Sequence, residues 1–299
     1  MTTQTAARWA ASVLLPIAAA GASPVFPIGQ PAVGAAAGLE LPDGMSIAVE
    51  FPRYLQLARR IEAIIDNQSD VAVTVVDLAL RSPLFEPIEA DDAYYTVRPG
   101  LRQDLDLGLG ESICPPADVA NGSAGVSTLE MTVEIDGERR HGVVEIDPTP
   151  IERINTSECG QRLVLEATEL SYGPEFDVVD GAVRTTITLN RRSGDEPITL
   201  TDARGSVLFV VQPIGALEPG EPLAVMASGE PFTAAAITIN VGRCEPHAVA
   251  DAKKPFAFAV WVSLGAGDPY FVTLAPEGEI RAALEGLLQE CVAAGSAVS

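Results

Sequence analysis

The chain repeats itself, and the repeat narrows the folds open to it more than any other feature. The segment NQSDVAVTVVDLALRSPLFEPI, Asn67 to Ile88, resembles RRSGDEPITLTDARGSVLFVVQPI, Arg191 to Ile214. With short gaps, Asp70 falls on Asp195, Thr74 on Thr199, Asp77 on Asp202, Phe85 on Phe209, and Pro87-Ile88 on Pro213-Ile214. RPGLRQDLDLGLGESIC then corresponds to GEPFTAAAITINVGRC, MTVEIDGERRHGVVEIDP to FAVWVSLGAGDPYFVTLAP, and PIERINTSEC to EIRAALEGLLQEC. Matched blocks in one order indicate a structural unit present twice.

Each copy reads as strands. Val71, Val73 and Val75 alternate with smaller or polar residues, as do Leu105, Leu107 and Leu109, and Leu129, Met131, Val133 and Ile135. In the second copy Ile237, Ile239 and Val241 follow the rule, and so do Phe258, Val260, Val262 and Leu264. Alternation with period two buries one face and wets the other. Turn signals separate the runs: Arg98-Pro99-Gly100, Asp136-Gly137, Ser193-Gly194-Asp195 and Glu218-Pro219-Gly220. Short strands spaced by turns over about 110 residues predict an antiparallel β-sandwich. A helix closes each unit. In the second copy it spans Gly278 to Val292, with Ile280, Leu284, Leu287, Leu288, Cys291 and Val292 at helical spacing and Glu279 in the first turn. In the first copy Ile151, Ile154 and Cys159 predict a shorter version after Asp147-Pro148.

The four cysteines allow three pairings, and the repeat selects one. Cys114 falls on Cys244 and Cys159 on Cys291, so the bonds expected are Cys114 to Cys159 and Cys244 to Cys291, one inside each unit. A loop of that length stabilises by roughly 4 kcal/mol in the chain-entropy picture. The stretch DLDLGLGESIC, Asp104 to Cys114, invites a metal reading, with Asp104, Asp106 and Glu111 beside a thiol. The second copy argues against it: Ala236, Thr238 and Asn240 stand where the acids would be, while the cysteine persists. Strand alternation also points the acids to water, so neither a metal nor a cofactor is expected.

Acidic residues outnumber basic ones 41 to 19, for a formal charge of −22 and a pI near 4.3. Such a surface repels polyanions, so nucleic acid is not an expected partner. The first 23 residues, MTTQTAARWAASVLLPIAAAGAS, have the form of an export signal: Arg8, an uncharged run, then small residues from Ala18 to Ser23. Residues 24–44, rich in Pro, Gly and Ala, read as a linker; 45–165 and 166–299 are the two repeats. Contact with a membrane is expected only through the N-terminal segment, if it is not cleaved.

No G-x-S-x-G elbow, Walker loop, H-E-x-x-H or C-x-x-C occurs, so no catalytic residue is assigned. His141 and His247 read as unpaired surface residues, His141 at a hairpin tip. Two features are candidates for binding. Trp261 lies on the strand parity opposite Phe258, Val260 and Val262, where it could stack on a sugar ring or anchor a protein contact unless the helix or the other domain covers it. The acidic loop Glu89 to Asp92, containing Asp91 and Asp92 and followed by Tyr94 and Tyr95, could hold a weak calcium or partner contact or be a solvated loop.

The tandem resembles the immunoglobulin-like and fibronectin-type sandwiches of bacterial cell surfaces. It is also similar to two-repeat secreted proteins of high-GC Gram-positive bacteria in its Ser82 to Phe85 strand end, its Arg98 to Gly100 turn and its Asp147-Pro148 helix start. The second copy departs from that pattern at Val207 and Ala275. The resemblance implies two tandem antiparallel Ig-like β-sandwich domains, each closed by a short C-terminal helix, and brings no catalytic residues. The expectation is an exported or cell-envelope binding or structural module that contacts protein or glycan. A secreted carboxylate-dependent hydrolase is the alternative.

Overall fold

The computed structural model describes residues 38 to 296, apart from 53, 56–57, 115–124, 216–217 and 219. The export-like segment and most of the 24–44 linker lie outside the described residues. The fold is mainly β. The first unit comprises β1 (Met45–Glu50), β2 (Arg60–Asn67), β3 (Val73–Arg81), β4 (Asp91–Val97), β5 (Leu101–Gly108), β6 (Thr128–Ile135), β7 (Glu138–Glu145) and α1 (Thr149–Ala167). Its strands form two antiparallel sheets, β1-β2-β5 and β4-β3-β6-β7. The second unit comprises β8 (Thr168–Tyr172), β9 (Asp177–Val179), β10 (Ala182–Arg191), β11 (Ile198–Arg204), β12 (Phe209–Pro213), β13 (Ala224–Met226), β14 (Phe232–Val241), α2 (Pro246–Asp251), β15 (Phe258–Leu264), β16 (Tyr270–Leu274) and α3 (Gly278–Ser296). Here the sheets are β12-β14-β10-β8, with β9 also on β10, and β13-β11-β15-β16.

The two units share one plan. β2 and β10, β5 and β14, β3 and β11, and β6 and β15 occupy equivalent places in their sheets. Each pair of sheets closes over its own hydrophobic core. In the first unit Ile61, Ile65 and Leu107 of one sheet meet Val75, Leu129 and Met131 of the other. In the second, Val183, Ile187 and Ile237 meet Leu200, Phe258 and Val262. Even the irregularities repeat. The register slips between Val75 and Asp77 in β3 and between Leu200 and Asp202 in β11, so the matched aspartates each follow a β-bulge. Phe85 and Phe209, matched in the sequence, are both buried in the core.

The strand DLDLGLG behaves as its alternation requires: Leu105 and Leu107 are buried, and Asp104 and Asp106 are exposed. Four expectations need correction. The helix of the first copy is not the shorter one, since α1 and α3 are each 19 residues long. It runs on because it serves both cores: Ile151 and Ile154 pack into the first and Val164 into the second. His141 is not at the hairpin tip, which is Asp136-Gly137, but inside β7 opposite Thr132, with Nε2 3.3 Å from Glu130. Nor is His247 unpaired, since it lies 3.2 Å from Asp251 one turn along α2. The last residues of the expected linker also belong to the first sandwich: Gly38 bridges Val143, and Leu39 N–H donates to Val143 O at 2.9 Å.

Cys114 is bonded to Cys159 and Cys244 to Cys291, the pairing that the repeat selects. The first bond fastens the segment after β5 to α1. Around it Glu158 accepts from Ser112 Oγ at 2.6 Å and from Arg59 at 3.1 Å, while Asn155 Nδ2 donates to Leu84 O at 2.8 Å. At the start of α1, Asp147 Oδ1 accepts from the Thr149 N–H at 3.0 Å and its hydroxyl at 2.7 Å. Those bonds hold the Asp147 carboxyl below the usual carboxylate range. The second copy has Ala275 there and no such cap.

Candidate binding groove

The outer face of the β8-β10-β14-β12 sheet carries an open groove of about 790 Å³, a volume in the range of small-ligand clefts. Its floor follows from strand parity. Val183, Ile187 and Leu189 of β10 point into the core, so Arg184, Thr186, Thr188 and Asn190 point out along the groove. Ala236 stands opposite Thr186 and Ala234 opposite Thr188, and these small side chains keep the neighbouring strand low. Phe232 and Ile214 stand at the rim, 51% and 48% exposed.

The wall comes from an interruption in the edge of the sheet. β8 pairs with Ile187 to Arg191 and β9 with Ala182 to Arg184; Gly173 N–H still donates to Thr186 O at 2.9 Å, and Pro174 to Phe176 then bow away between the two pairings. Gly173 permits the bow, because a Cβ there would lie 2.2 Å from Thr186 Oγ1. Thr185 Oγ1 pins the wall by donating to Glu175 O at 3.2 Å. Tyr172 anchors its base: the hydroxyl donates to Leu274 O at 3.4 Å, and burial pushes its pKa up. Ser171 and Thr188 bond to each other at 2.7 Å. In contrast, the side chains of Arg184, Asn190, Thr186, Glu175 and Asp177 have no hydrogen-bond or ion-pair partner among the described residues, although all five line the groove.

The equivalent face of the first sandwich is closed. Tyr54, on the segment between β1 and β2, donates its hydroxyl to Glu62, which is only 7% exposed. That bond, helped by desolvation and the nearby carboxylates, pushes the Tyr54 pKa up to about 12. Arg60 pairs with Asp91 at 3.4 Å and donates to Asp106 O at 2.7 Å, and Arg102 pairs with Asp104 at 2.6 Å. Tyr54, Glu62, Arg60, Arg102 and Asp104 thus have partners on or beside that face.

The residues singled out from the sequence lie elsewhere. Trp261 is half-buried on the outer face of the β13-β11-β15-β16 sheet. The Arg204 guanidinium sits 4.9 Å from its ring centre, and the Phe271 ring meets it edge-on at 5.7 Å. Neither a helix nor the other sandwich supplies these contacts. Asp91 and Asp92 are not in a loop but begin β4, and Asp91 Oδ2 is occupied by the Gly108 N–H at 2.8 Å as well as by Arg60. Tyr94 and Tyr95 are exposed, 70% and 51%, and Tyr94 has a left-handed backbone, φ 43°, where β4 bulges against β3. Asp91 is thus part of the frame and the tyrosines are an open surface beside it. No group of three or more metal-ligating side chains converges among the described residues. No described helix is long and apolar enough to cross a membrane. The two disulfides fit an oxidising, extracellular environment.

No protein-family description and no curated protein matches the sequence. Among solved structures the chain is similar to the CsuC–CsuE chaperone–tip adhesion subunit complex of archaic chaperone-usher Csu pili from Acinetobacter baumannii. The identity is 8% and the TM-score 0.21, over 74% of this chain and 93% of that one. It is also similar to the YadV chaperone, at 10% identity and a TM-score of 0.18 over 77% of this chain and 100% of that one. A third likeness is to the BSP domain of a biofilm-associated protein, at 6% identity and a TM-score of 0.20 over 77% of this chain and 58% of that one. Superpositions this loose carry no functional argument.

Proposed function

We propose that the chain is an exported or envelope-associated binding module whose two sandwiches form a scaffold and whose second sandwich presents the ligand site. The observation that carries this is the groove along β10, where five polar side chains without internal partners are gathered in one concavity. Arg184, Asn190, Glu175 and Asp177 are exposed and Thr186 is half-buried, so their hydrogen-bonding capacity is open to a ligand that enters the concavity. Two disulfides and the export-like N-terminus support a position outside the cytoplasm. Binding is favoured over hydrolysis because Glu175 and Asp177 stand on one wall of the groove, whereas glycoside hydrolysis needs an acid on each side of the scissile bond.

Fractionation of cells that make the protein tests the reading, with each fraction run on non-reducing gels and then challenged for retention on envelope material. Oxidised protein outside the cytoplasm that is held by envelope material is the expected result. Reduced protein confined to the cytoplasm, or oxidised protein that envelope material does not hold, overturns it.

A further inference from the structure

The geometry points to a neutral oligosaccharide as the ligand of the β10 groove, an inference that rests on the binding-module reading and gives it a ligand class. The open groups are mixed in kind. Arg184 only donates hydrogen bonds, Glu175 and Asp177 only accept them when ionised, and Asn190 and Thr186 do both. A polyanion meets two carboxylates in the groove and a formal charge of −22 on the chain; a polycation is drawn by that charge but leaves Arg184, Asn190 and Thr186 without an acceptor. A sugar hydroxyl, at once donor and acceptor and uncharged, satisfies every member of the set. Phe232, half exposed at the rim, offers a ring face to the C–H face of a pyranose.

The shape agrees with the chemistry. Arg184 to Asn190 spans about 20 Å at ~3.4 Å per strand residue, so the groove is extended rather than a pit. It lies on the face of a rigid sheet and is open along its length, which suits a chain of sugar rings better than a compact metabolite. The repeat supplies an internal comparison. The cross-strand registers place Ile64 where the second sandwich has Thr186, Asp66 where it has Thr188, and Asp104 where it has Ala236. The first face carries acids along both strands and is covered by Tyr54; the second carries hydroxyls and alanines along its middle, has its charges at Arg184, Glu175 and Asp177, and is uncovered. One frame therefore carries two faces, and only one is built for an uncharged ligand.

The test uses the full chain with both disulfides intact, applied to immobilised neutral fragments of β-glucan, chitin and mannan of two to six units. Charged glycans and extended peptides are the comparison arms. Titration calorimetry then follows for any fragment retained, with Phe232→Ala and Asn190→Ala as variants because both side chains are exposed. Retention of a neutral fragment, weakened about tenfold or more by each variant and little changed by salt, is the expected result. Retention only of charged glycans or peptides refutes the inference, as does neutral-glycan binding that both variants leave intact. Envelope material held equally by the parent and both variants refutes the groove while leaving the binding module standing. Loss of all envelope retention in the parent removes both.

Discussion

A methyl group on Gly160 would stand 2.0 Å from Cδ1 of the Tyr270 ring, so the middle of α1 and the start of β16 touch with no room for a side chain between them. This contact joins the two sandwiches, because α1 closes the first and β16 is an edge strand of the second. Gly160→Ala must displace an aromatic ring or shift the helix, and overpacking of this kind costs ~1–3 kcal/mol. Urea unfolding of G160A is expected to show that loss, and G160A combined with Tyr270→Ala to lose less than the sum of the two single variants. Strict additivity would mean that the glycine is there for some other reason.

The disulfides close loops of nearly equal length, with separations of 45 and 47 residues, so chain entropy assigns each about 4 kcal/mol. Their surroundings differ. Cys159 is buried and precedes Gly160, whereas Cys291 is half-buried in the last turns of α3. Paired replacement of Cys114 and Cys159 by alanine is expected to cost more than replacement of Cys244 and Cys291, because it also loosens the helix that packs on Tyr270. Denaturant midpoints of the two double variants decide this, and equal losses would confine each bond to the entropy of its own loop.

How far this was legible in the sequence depends on what each residue answers to. Leu105 and Leu107 answer to one core, so alternation was enough to place them inward and Asp104 and Asp106 outward. The cysteine pairing followed from the repeat, since equivalent strands and helices bring equivalent residues together. α1 was underestimated because its apolar residues answer to two cores. Ile151 and Ile154 face one and Val164 the other, so no single stripe marks its second half. The groove was missed for a different reason. Thr186, Thr188 and Asn190 occupy ordinary polar positions of a half-buried strand. What sets them apart is the bowed wall at Pro174 to Phe176 and the want of a cover like Tyr54, both of which arise only when distant segments are packed.

Tyr54 gives a spectroscopic prediction. Its hydroxyl, held by Glu62, has its pKa pushed up to about 12, above the ordinary value near 10. A raised folded-state pKa contributes stability that is complete below the unfolded value and is lost as pH climbs through the folded one. The parent is therefore expected to lose stability between about pH 10 and about pH 12, and Tyr54→Phe to lose less across that window. Tyrosinate absorbance should show one late-titrating phenol fewer in Y54F, with Tyr172, raised by burial, still late. An unchanged alkaline limb in Y54F would show that the Glu62 contact is not made in solution.

Asn67 is the clearest case of a polar residue that the frame itself requires. Its side chain is fully buried, and Nδ2 donates to Val71 O at 2.9 Å and Val97 O at 2.8 Å, while Oδ1 accepts from the Ser69 N–H at 3.1 Å and hydroxyl at 2.6 Å. It thus ties the end of β2, in one sheet, to the turn leading into β3 and to the end of β4, which belong to the other. At the same register in the second sandwich stands Leu189, also buried, so the fold tolerates an apolar residue there only where no such carbonyls need a donor. Asn67→Leu should therefore not be rescued by hydrophobicity. Each orphaned buried group costs ~1–3 kcal/mol; Val97 O loses its donor and the Ser69 N–H its acceptor, while Val71 O keeps the Ser69 hydroxyl at 3.1 Å. Thermal or urea unfolding of N67L is expected to fall by about 2–5 kcal/mol, with Ser69→Ala milder because it removes only the hydroxyl side of the knot. A near-neutral N67L would mean that water reaches Val97 O and the Ser69 N–H and takes over the amide's part.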